Sequence, residues 1–425
     1  MHGSYDPVAD RRSMTMVPLA QLTTADEGLQ APISTAVDLP FSPGPGWGTG
    51  PTGLYIHVPF CVHKCHYCDF YSLVETGPQS RRPAFTDRLI EEIHAAAPWL
   101  GGPLATVFVG GGTPTLLEPD LWVRLLAAIR SDLDLQSDCE FTVEANPDAL
   151  TAELLDVLVA GGVNRLSMGA QSFDPKLLKA LERTHDPDNV RRGVEMIRAA
   201  GITNFNLDLI FGIPGQDLEG WAADLDAVLA LEPTHLSCYN LTYEPNTPLA
   251  AKLRRGAIQR VDEDVEAEMY EATMDRLGGA GFEHYEISSW ARPGRACRHN
   301  LLYWRNGSWW PLGPGAAGHV DGVRWKNAPR LGEYLRVRPL PPITGQEQLD
   351  QDGRIGETLM LGLRLLEGIA LVRLEALLAV GDRGELRRLA VERHTASGLL
   401  EQRAGRLRFT RGGLLLADTV LADLL

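Results

Sequence analysis

A chain of 425 residues with 40 Lys and Arg against 55 Asp and Glu carries a formal charge of −15. At about 150 residues per domain, that length makes two or three domains and can bury a large core without disulfide or metal staples. The acidic balance excludes broad electrostatic binding of nucleic acid, no apolar run is long enough for a membrane-spanning helix, and six cysteines are too few for a disulfide scaffold.

Residues 1–50 hold no lasting periodicity and are read as a disordered extension. Arg11-Arg12 precede a modest apolar stretch, but Pro18, Gln21 and Asp26-Glu27 interrupt the longer apolar region that a twin-arginine export signal needs. A cytoplasmic protein is therefore expected, and Met14 and Met16 stay open as alternative starts. Pro43, Gly44, Pro45, Gly46, Gly48, Gly50 and Pro51 form a loose lead-in.

From residue 54 a rhythm begins. Short β-rich runs at 54–59, 106–109, 140–144, 165–168, 204–210 and 236–241 alternate with amphipathic stretches. These helical patterns cover 85–97, 120–131, 152–159, 190–200 and 218–231, and another follows at 262–280. Gly161 and Gly201 are placed to close two of them. Six β/α units with mostly apolar strands predict a parallel sheet, either open and doubly wound or a partial barrel, with its site at the C-terminal rim. Past about residue 290 the rhythm stops. Residues 291–350, rich in Trp, Pro, Gly and Arg, read as a connecting region, and 355–366 is strongly helical. From 398 to 425 a short hairpin and a last helix resemble a small winged-helix unit, and the lack of a dominant basic stripe favours a structural or partner-docking role. The domain expectation is thus a barrel over 51–290, a connection over 291–350 and a winged-helix-like domain over 351–425.

The strongest motif is Cys61-Val62-His63-Lys64-Cys65-His66-Tyr67-Cys68, just after the first strand. Three thiolates on one loop can hold three irons of a [4Fe–4S] cluster and leave the fourth open. Zinc is the alternative, with His57, His63 or His66 as a fourth ligand, but no second Cys-x-x-Cys knuckle is present. More polar residues stand near strand ends. Gly110-Gly111-Gly112-Thr113-Pro114-Thr115 follows the second strand and lets the backbone approach a ligand. Glu144, Gln171, Arg183 and Asp208 follow in turn, and a buried polar group requires a partner, which a ligand or an internal hydrogen bond can supply. Cys139 and Cys238 read as core packing, and the acidic stretch 262–271 as a solvated helix face.

Cys-x3-Cys-x2-Cys behind a first strand resembles the radical S-adenosylmethionine (SAM) superfamily. That resemblance implies a partial (β/α)6 barrel and a [4Fe–4S] cluster on Cys61, Cys65 and Cys68, whose open iron chelates SAM and whose reduced form cleaves it to a 5′-deoxyadenosyl radical. The motifs look like one branch, the coproporphyrinogen-dehydrogenase-like proteins. In that branch the matching positions contact SAM: Tyr55, Gly111, Gly112, Thr113, Glu144, Gln171, Arg183 and Asp208. Some members bind a second SAM.

The branch includes oxygen-independent coproporphyrinogen III dehydrogenases, methyltransferases and haem chaperones. Dehydrogenases carry a further Cys two residues after the third ligand, where Phe70 stands here. Cys68-Asp69-Phe70 and the His-Asn-x-x-Tyr motif at His299, Asn300 and Tyr303 instead resemble the haem chaperones, which use that His in binding haem. Independently, imidazole is a normal haem ligand; Tyr303, Trp304, Trp309 and Trp310 offer flat surfaces; Arg292, Arg295, Arg298 and Arg305 are candidates for the propionates; and Cys297 is an alternative ligand. The resemblance covers 54 to about 320 closely. It implies a cytoplasmic haem chaperone, peripheral at the membrane during delivery, with cluster and SAM supporting transfer. Haem would pass to haem-requiring, respiratory apoproteins, and a homodimer stays open. The alternatives are a radical SAM dehydrogenase or methyltransferase, and a zinc-stabilised binding module.

Overall fold

The computed structural model describes residues 50–75 and 79–425. The extension expected over 1–50, with its Arg11-Arg12 pair, lies outside the described residues except for Gly50.

Six parallel strands lie side by side in chain order: β1 (Gly53–Val58), β2 (Leu104–Gly111), β3 (Leu135–Ala145), β4 (Arg165–Gln171), β5 (Asn204–Phe211) and β6 (His235–Asn240). They coincide with the six expected strands, the third beginning earlier than its apolar run suggests. Alternation explains them. In β1, Leu54, Ile56 and Val58 are fully buried, and the intervening Tyr55 and His57 face the other side of the sheet.

The crossovers are helical: α1 (Arg82–Ala96), α2 (Pro119–Asp132), α3 (Ala152–Ala160), α4 (Pro175–Ala180), α5 (Pro187–Ala199) and α6 (Leu218–Leu229). Their starts are written locally. Thr151 Oγ1 accepts from Leu154 N at 3.2 Å, Asp186 accepts from Asn189 N at 3.0 Å, and Pro opens α2, α4 and α5. Gly201 ends α5 with φ +84°, as expected, but after α3 it is Gly162 (φ +93°), not Gly161, that takes the left-handed conformation. The short α4 was hidden because six residues show little periodicity.

The sheet does not close. After α7 (Pro248–Arg254) and α8 (Glu263–Gly279), the strands β7 (Glu283–Glu286) and β8 (Ser289–Ala291) add antiparallel pairs beyond β6. Past α9 (Arg298–Trp304), β9 (Trp309–Leu312) pairs parallel with the free edge of β1. Antiparallel β10 (Ala317–Val320), β11 (Val323–Asn327) and β12 (Ile343–Gln348) continue outward, with α10 (Leu331–Tyr334) between the last two. The result is a partial barrel within one twelve-stranded sheet among the described residues. The four strands of 309–348 were not read from the sequence, because Trp, Pro and Gly break their apolar alternation.

The C-terminal part is mainly helical, as expected: α11 (Gln351–Arg364), α12 (Leu371–Leu378), α13 (Gly384–Ala396), α14 (Arg411–Leu415) and α15 (Ala417–Leu424). Its hairpin, β13 (Leu400–Arg403) and β14 (Arg406–Phe409), pairs with Ile369–Ala370 in a winged-helix-like arrangement. Arg387, fully buried, ties it together by donating to Leu424 O at 2.9 Å and to Asp352 Oδ1 at 2.9 Å. One apolar core runs through barrel and C-terminal part, and Cys139 and Cys238 lie within it. No described helix is long and apolar enough to cross a membrane.

Candidate functional site

The C-terminal ends of the parallel strands form an open rim. Here the cysteine loop leaves β1, and Phe60–Cys61 pairs with Leu73–Val74 to fix its two ends. The glycine turn after β2 zips onto the loop's base: Gly112 N donates to Val58 O at 2.8 Å and Thr113 N to Phe60 O at 2.7 Å. Gly111 has φ +107°, and a Cβ there would stand 2.4 Å from the His57 ring; at Gly112 it would meet the Phe60 carbonyl at 2.6 Å. Only glycine fits this approach.

Cys61, Cys65 and Cys68 are free and half-buried. Thr113 Oγ1 donates to Cys61 Sγ at 3.7 Å, and Arg183 Nη1 to Cys65 Sγ at 3.7 Å. Among the described residues, no three His, Cys, Asp or Glu side chains converge on one metal ion. A hydroxyl and a guanidinium aimed at two sulfurs of one loop suit thiolates, and three thiols are the donor set an iron–sulfur cluster takes. Burial pushes the Cys68 thiol up to about 12 and also raises Cys61, so loading a cluster must displace protons.

The other expected residues ring this loop. Tyr55 on β1 shares a 3.0 Å hydrogen bond with His57 Nδ1, and His57 Nε2 reaches Tyr71 O at 2.7 Å, at the far end of the cysteine loop. Burial holds His57 down to about 4, so the ring is neutral. Its Nε2–H donates to the carbonyl, and Nδ1 accepts from the tyrosine hydroxyl. Glu144 Oε2 accepts from Gly111 N at 3.1 Å, which joins β3 to the glycine turn. Burial, then the nearby Asp208 carboxylate, pushes Glu144 up to about 7. Asp208 on β5 is also raised by burial, against hydrogen bonds from Asn206 Nδ2 (2.7 Å) and Ser167 Oγ (3.5 Å). Gln171 ends β4 with φ +64°, uncommon for a residue with a side chain. Arg183 is not at a strand end. It reaches back from the turn after α4, donating to Gly169 O at 2.8 Å as well as to Cys65. His185, held down to about 4 by burial, accepts from Arg183 Nε at 3.3 Å while its other nitrogen meets Ala170 O at 3.1 Å. Two half-buried carboxyls and a guanidinium are groups that can bind the ammonium and carboxylate of an amino acid.

His299 is elsewhere. It sits on α9, which closes the opposite, N-terminal end of the strands, and it is 1% exposed. Its Nδ1 is 2.8 Å from Thr106 Oγ1 near the start of β2, its Nε2 is 2.8 Å from Tyr303 Oη, and its ring stacks on Phe108. Burial pulls the imidazole down to about 3. Both ring nitrogens are thus engaged. Of the candidate porphyrin-stacking residues, Trp310 is core and Trp309 packs edge-on against Tyr303. Of the candidate propionate partners, Arg298 pairs with Asp138, Arg305 with Glu367, and Arg292 lies over Phe282. Cys297 Sγ lies 3.5 Å from Glu140 Oε1, fully enclosed.

The sequence reading missed a polar seam between rim and floor. Arg165, Ser167, Asn206, His235 and Ser237 line the inner face; Asn206 donates to Ser167 Oγ at 2.8 Å and accepts at Oδ1 from Ser237 and His235. Arg165 is buried and its Nε has no partner among the described residues. The signal was there, since polar residues occupy every second position of otherwise apolar strands.

Known proteins resemble this arrangement. Residues 55–228 match the model of the radical SAM superfamily, and 349–416 the HemN C-terminal domain. The heme chaperone HemW of Mycobacterium tuberculosis is 39% identical, the match covering 92% of this chain and 98% of that protein. The heme chaperone HemW of Escherichia coli is 35% identical, over 87% of this chain and 97% of its own. In structure, the coproporphyrinogen III oxidase HemN of Escherichia coli superposes with a TM-score of 0.78 at 23% identity, covering 89% of this chain and 91% of that one. That likeness bears on the fold.

Proposed function

We propose that this chain, which belongs to the HemW family of radical SAM proteins, is a haem chaperone that binds haem and passes it to haem-requiring apoproteins, respiratory enzymes first among them. Membership of the radical SAM superfamily implies a [4Fe–4S] cluster and SAM. In this reading Cys61, Cys65 and Cys68 hold the cluster, which supplies one-electron chemistry and an open iron for SAM. Tyr55, Gly111, Gly112, Thr113, Glu144, Gln171, Arg183 and Asp208 hold SAM. The observation that carries this part is the convergence at the rim: Thr113 and Arg183 each touch a cluster cysteine, and Glu144 grips the glycine turn. The chain's own groups set the surroundings. Glu144 and Asp208 present carboxyls to an ammonium, Arg183 is steered by neutral His185, and His57 ties the loop's ends together.

Phe70 separates this reading from the dehydrogenase one. It stands where those enzymes have another cysteine, and it is 65% exposed, with no thiol to offer. His299, matched to the family's haem-binding histidine, reaches an iron only if α9 leaves the barrel floor, because Thr106 and Tyr303 hold both its nitrogens.

The test is transfer. The anaerobically cluster-loaded chain, given haem, is expected to show a saturable Soret band and to restore activity to a haem-free respiratory enzyme faster than free haem does. No saturable band would sink the proposal. Conversion of coproporphyrinogen III to a decarboxylated product in the presence of SAM and reductant would turn it into an enzyme. Cytoplasmic residence belongs to the same proposal, and a homodimer stays open.

A further inference from the structure

The polar seam beneath the rim is a hydrogen-bond chain with a direction. Asn206 and Asp208 are two positions apart on β5 and share a face of the sheet, and Asn206 lies opposite His235 of β6. Asn206 Nδ2 donates to Asp208 Oδ1 at 2.7 Å. The Asn206 amide oxygen stands 2.7 Å from His235 Nδ1 and has no hydrogen to give, so that nitrogen carries the imidazole proton. Burial keeps His235 neutral, which leaves its Nε2 an acceptor. Nε2 takes the Tyr285 hydroxyl proton at 2.8 Å, and Tyr285 Oη in turn accepts from Asn300 Nδ2 at 3.1 Å. Every donor from Asn300 to Asn206 points the same way, and the chain ends on a carboxylate.

Its two ends belong to different places. Asp208 is in the set matched to SAM, whereas Asn300 is the second residue of the His-Asn-x-x-Tyr motif on α9, next to His299. The middle of the chain is dry, with Asn206 and His235 each 2% exposed. Hydrogen bonds aligned head to tail in such an interior polarise one another, so a negative charge on Asp208 strengthens each link as far as Asn300. Arg165, buried with its Nε unpartnered among the described residues, lies in the field of Asp208 and of Tyr285 as well. The helix α9 is seven residues long, with left-handed turns at Gly294 (φ +74°) before it and Asn306 (φ +54°) after it. The other acceptor near the Asn300 amide, Glu286 Oε1, is 3.4 Å away, so Tyr285 is the closer hold.

We infer that Asn206, His235 and Tyr285 are positioning residues that couple SAM at the rim to the hold on the motif helix α9. The inference rests on the haem-chaperone reading, in which His299 meets haem once α9 leaves the floor. A ligand ammonium beside Asp208 neutralises the charge that ends the chain. Each link then falls back toward an ordinary neutral hydrogen bond, and Asn300 is held less tightly by Tyr285. SAM at the rim and α9 in the floor thus compete for the same carboxylate charge, and SAM lowers the cost of freeing His299. Such coupling is reciprocal, so haem on the freed helix tightens SAM by the same factor.

The test uses the full chain under anaerobic conditions, with its cluster oxidised so that SAM binds without being cleaved. Haem is titrated by its Soret band with and without saturating SAM, and SAM by calorimetry with and without haem. In the parent each ligand is expected to tighten the other about fivefold. SAM alone is expected to speed amide hydrogen exchange along 298–304. Tyr285→Phe, which removes one hydroxyl from the chain, is expected to bring both affinity ratios close to one with cluster iron unchanged, and His235→Phe to do the same. Thr106→Val releases His299 from outside the chain. It is expected to tighten haem equally with and without SAM and to keep the ratio, which separates coupling from a general loosening of the floor. If Tyr285→Phe keeps the parent's ratio, or if the parent's ratio is one or below while both ligands bind, this inference falls and the chaperone reading stands. If the parent chain shows no saturable haem binding, the chaperone reading falls and the inference with it.

Discussion

The two ends of the barrel are built from the same strands and are opposite in chemistry. At the rim, thiols, carboxyls and a guanidinium stay half-buried and are matched unevenly: Cys65 has a distant donor, Glu144 a backbone amide, and Asp208 one short donor at 2.7 Å and one at 3.5 Å. At the floor, each nitrogen of His299 has a hydroxyl at 2.8 Å, Glu140 accepts from the His299 backbone N, and Asn300 donates to Tyr285 Oη at 3.1 Å. Incomplete matching without a ligand is what a binding site shows, whereas complete matching is what a structural joint shows. The family's His-Asn-x-x-Tyr motif thus lies in the floor with both nitrogens of its histidine already hydrogen-bonded in this structure.

Variants can break or sharpen this contrast. The largest effect is at the rim: replacing Cys61, Cys65 and Cys68 together with Ala should reduce bound iron and sulfide to background, with little change in melting temperature. Retention of full iron would refute the ligand assignment. At the floor the sign is reversed. His299→Ala leaves a void and two buried hydroxyls without partners and should cost about 3 kcal/mol of unfolding free energy by denaturant titration, with cluster content intact. A change below about 0.5 kcal/mol would mean the floor is not a joint.

Acid–base behaviour gives the next contrast. Glu144, held at about 7 rather than 4.5, stays protonated in the folded chain over a range in which the unfolded chain has lost the proton. Its stabilising share is fully present below pH 4.5 and is lost as pH rises through 7. Glu144→Gln should flatten the fall in stability across that window by about 2 kcal/mol. An unchanged slope in melts taken at several pH values would count against it. The smallest effect is at Asp208: Asp208→Asn should add about 1 kcal/mol of stability by removing a half-buried carboxylate, while weakening SAM binding about tenfold by calorimetry. Unchanged affinity would remove Asp208 from the SAM set.

Much of this was legible in the sequence because it is local. Six strands and their helices follow from periods of two and of 3.6, and Thr151, Asp186 and the prolines mark helix starts without reference to the rest of the chain. The cysteine loop and the glycine turn are contiguous motifs, and their adjacency follows once β1 and β2 are neighbours. By contrast, the strands of 309–348 carry no clean alternation; the free edge of β1 takes the first of them, and the rest pair with one another. Arg183 belongs with Cys65 although 118 positions separate them, because the turn after α4 folds back over the rim. His299 is a haem-ligand candidate by its motif alone, since a sequence displays the side chain and not the Thr106 and Tyr303 hydroxyls bonded to it. The sequence by itself determined the element order, the thiol donor set and the glycines that let backbone meet backbone. Only the tertiary structure decided which polar groups face open rim and which are locked in the floor, because burial and hydrogen-bond partnership are set by residues far apart in the chain.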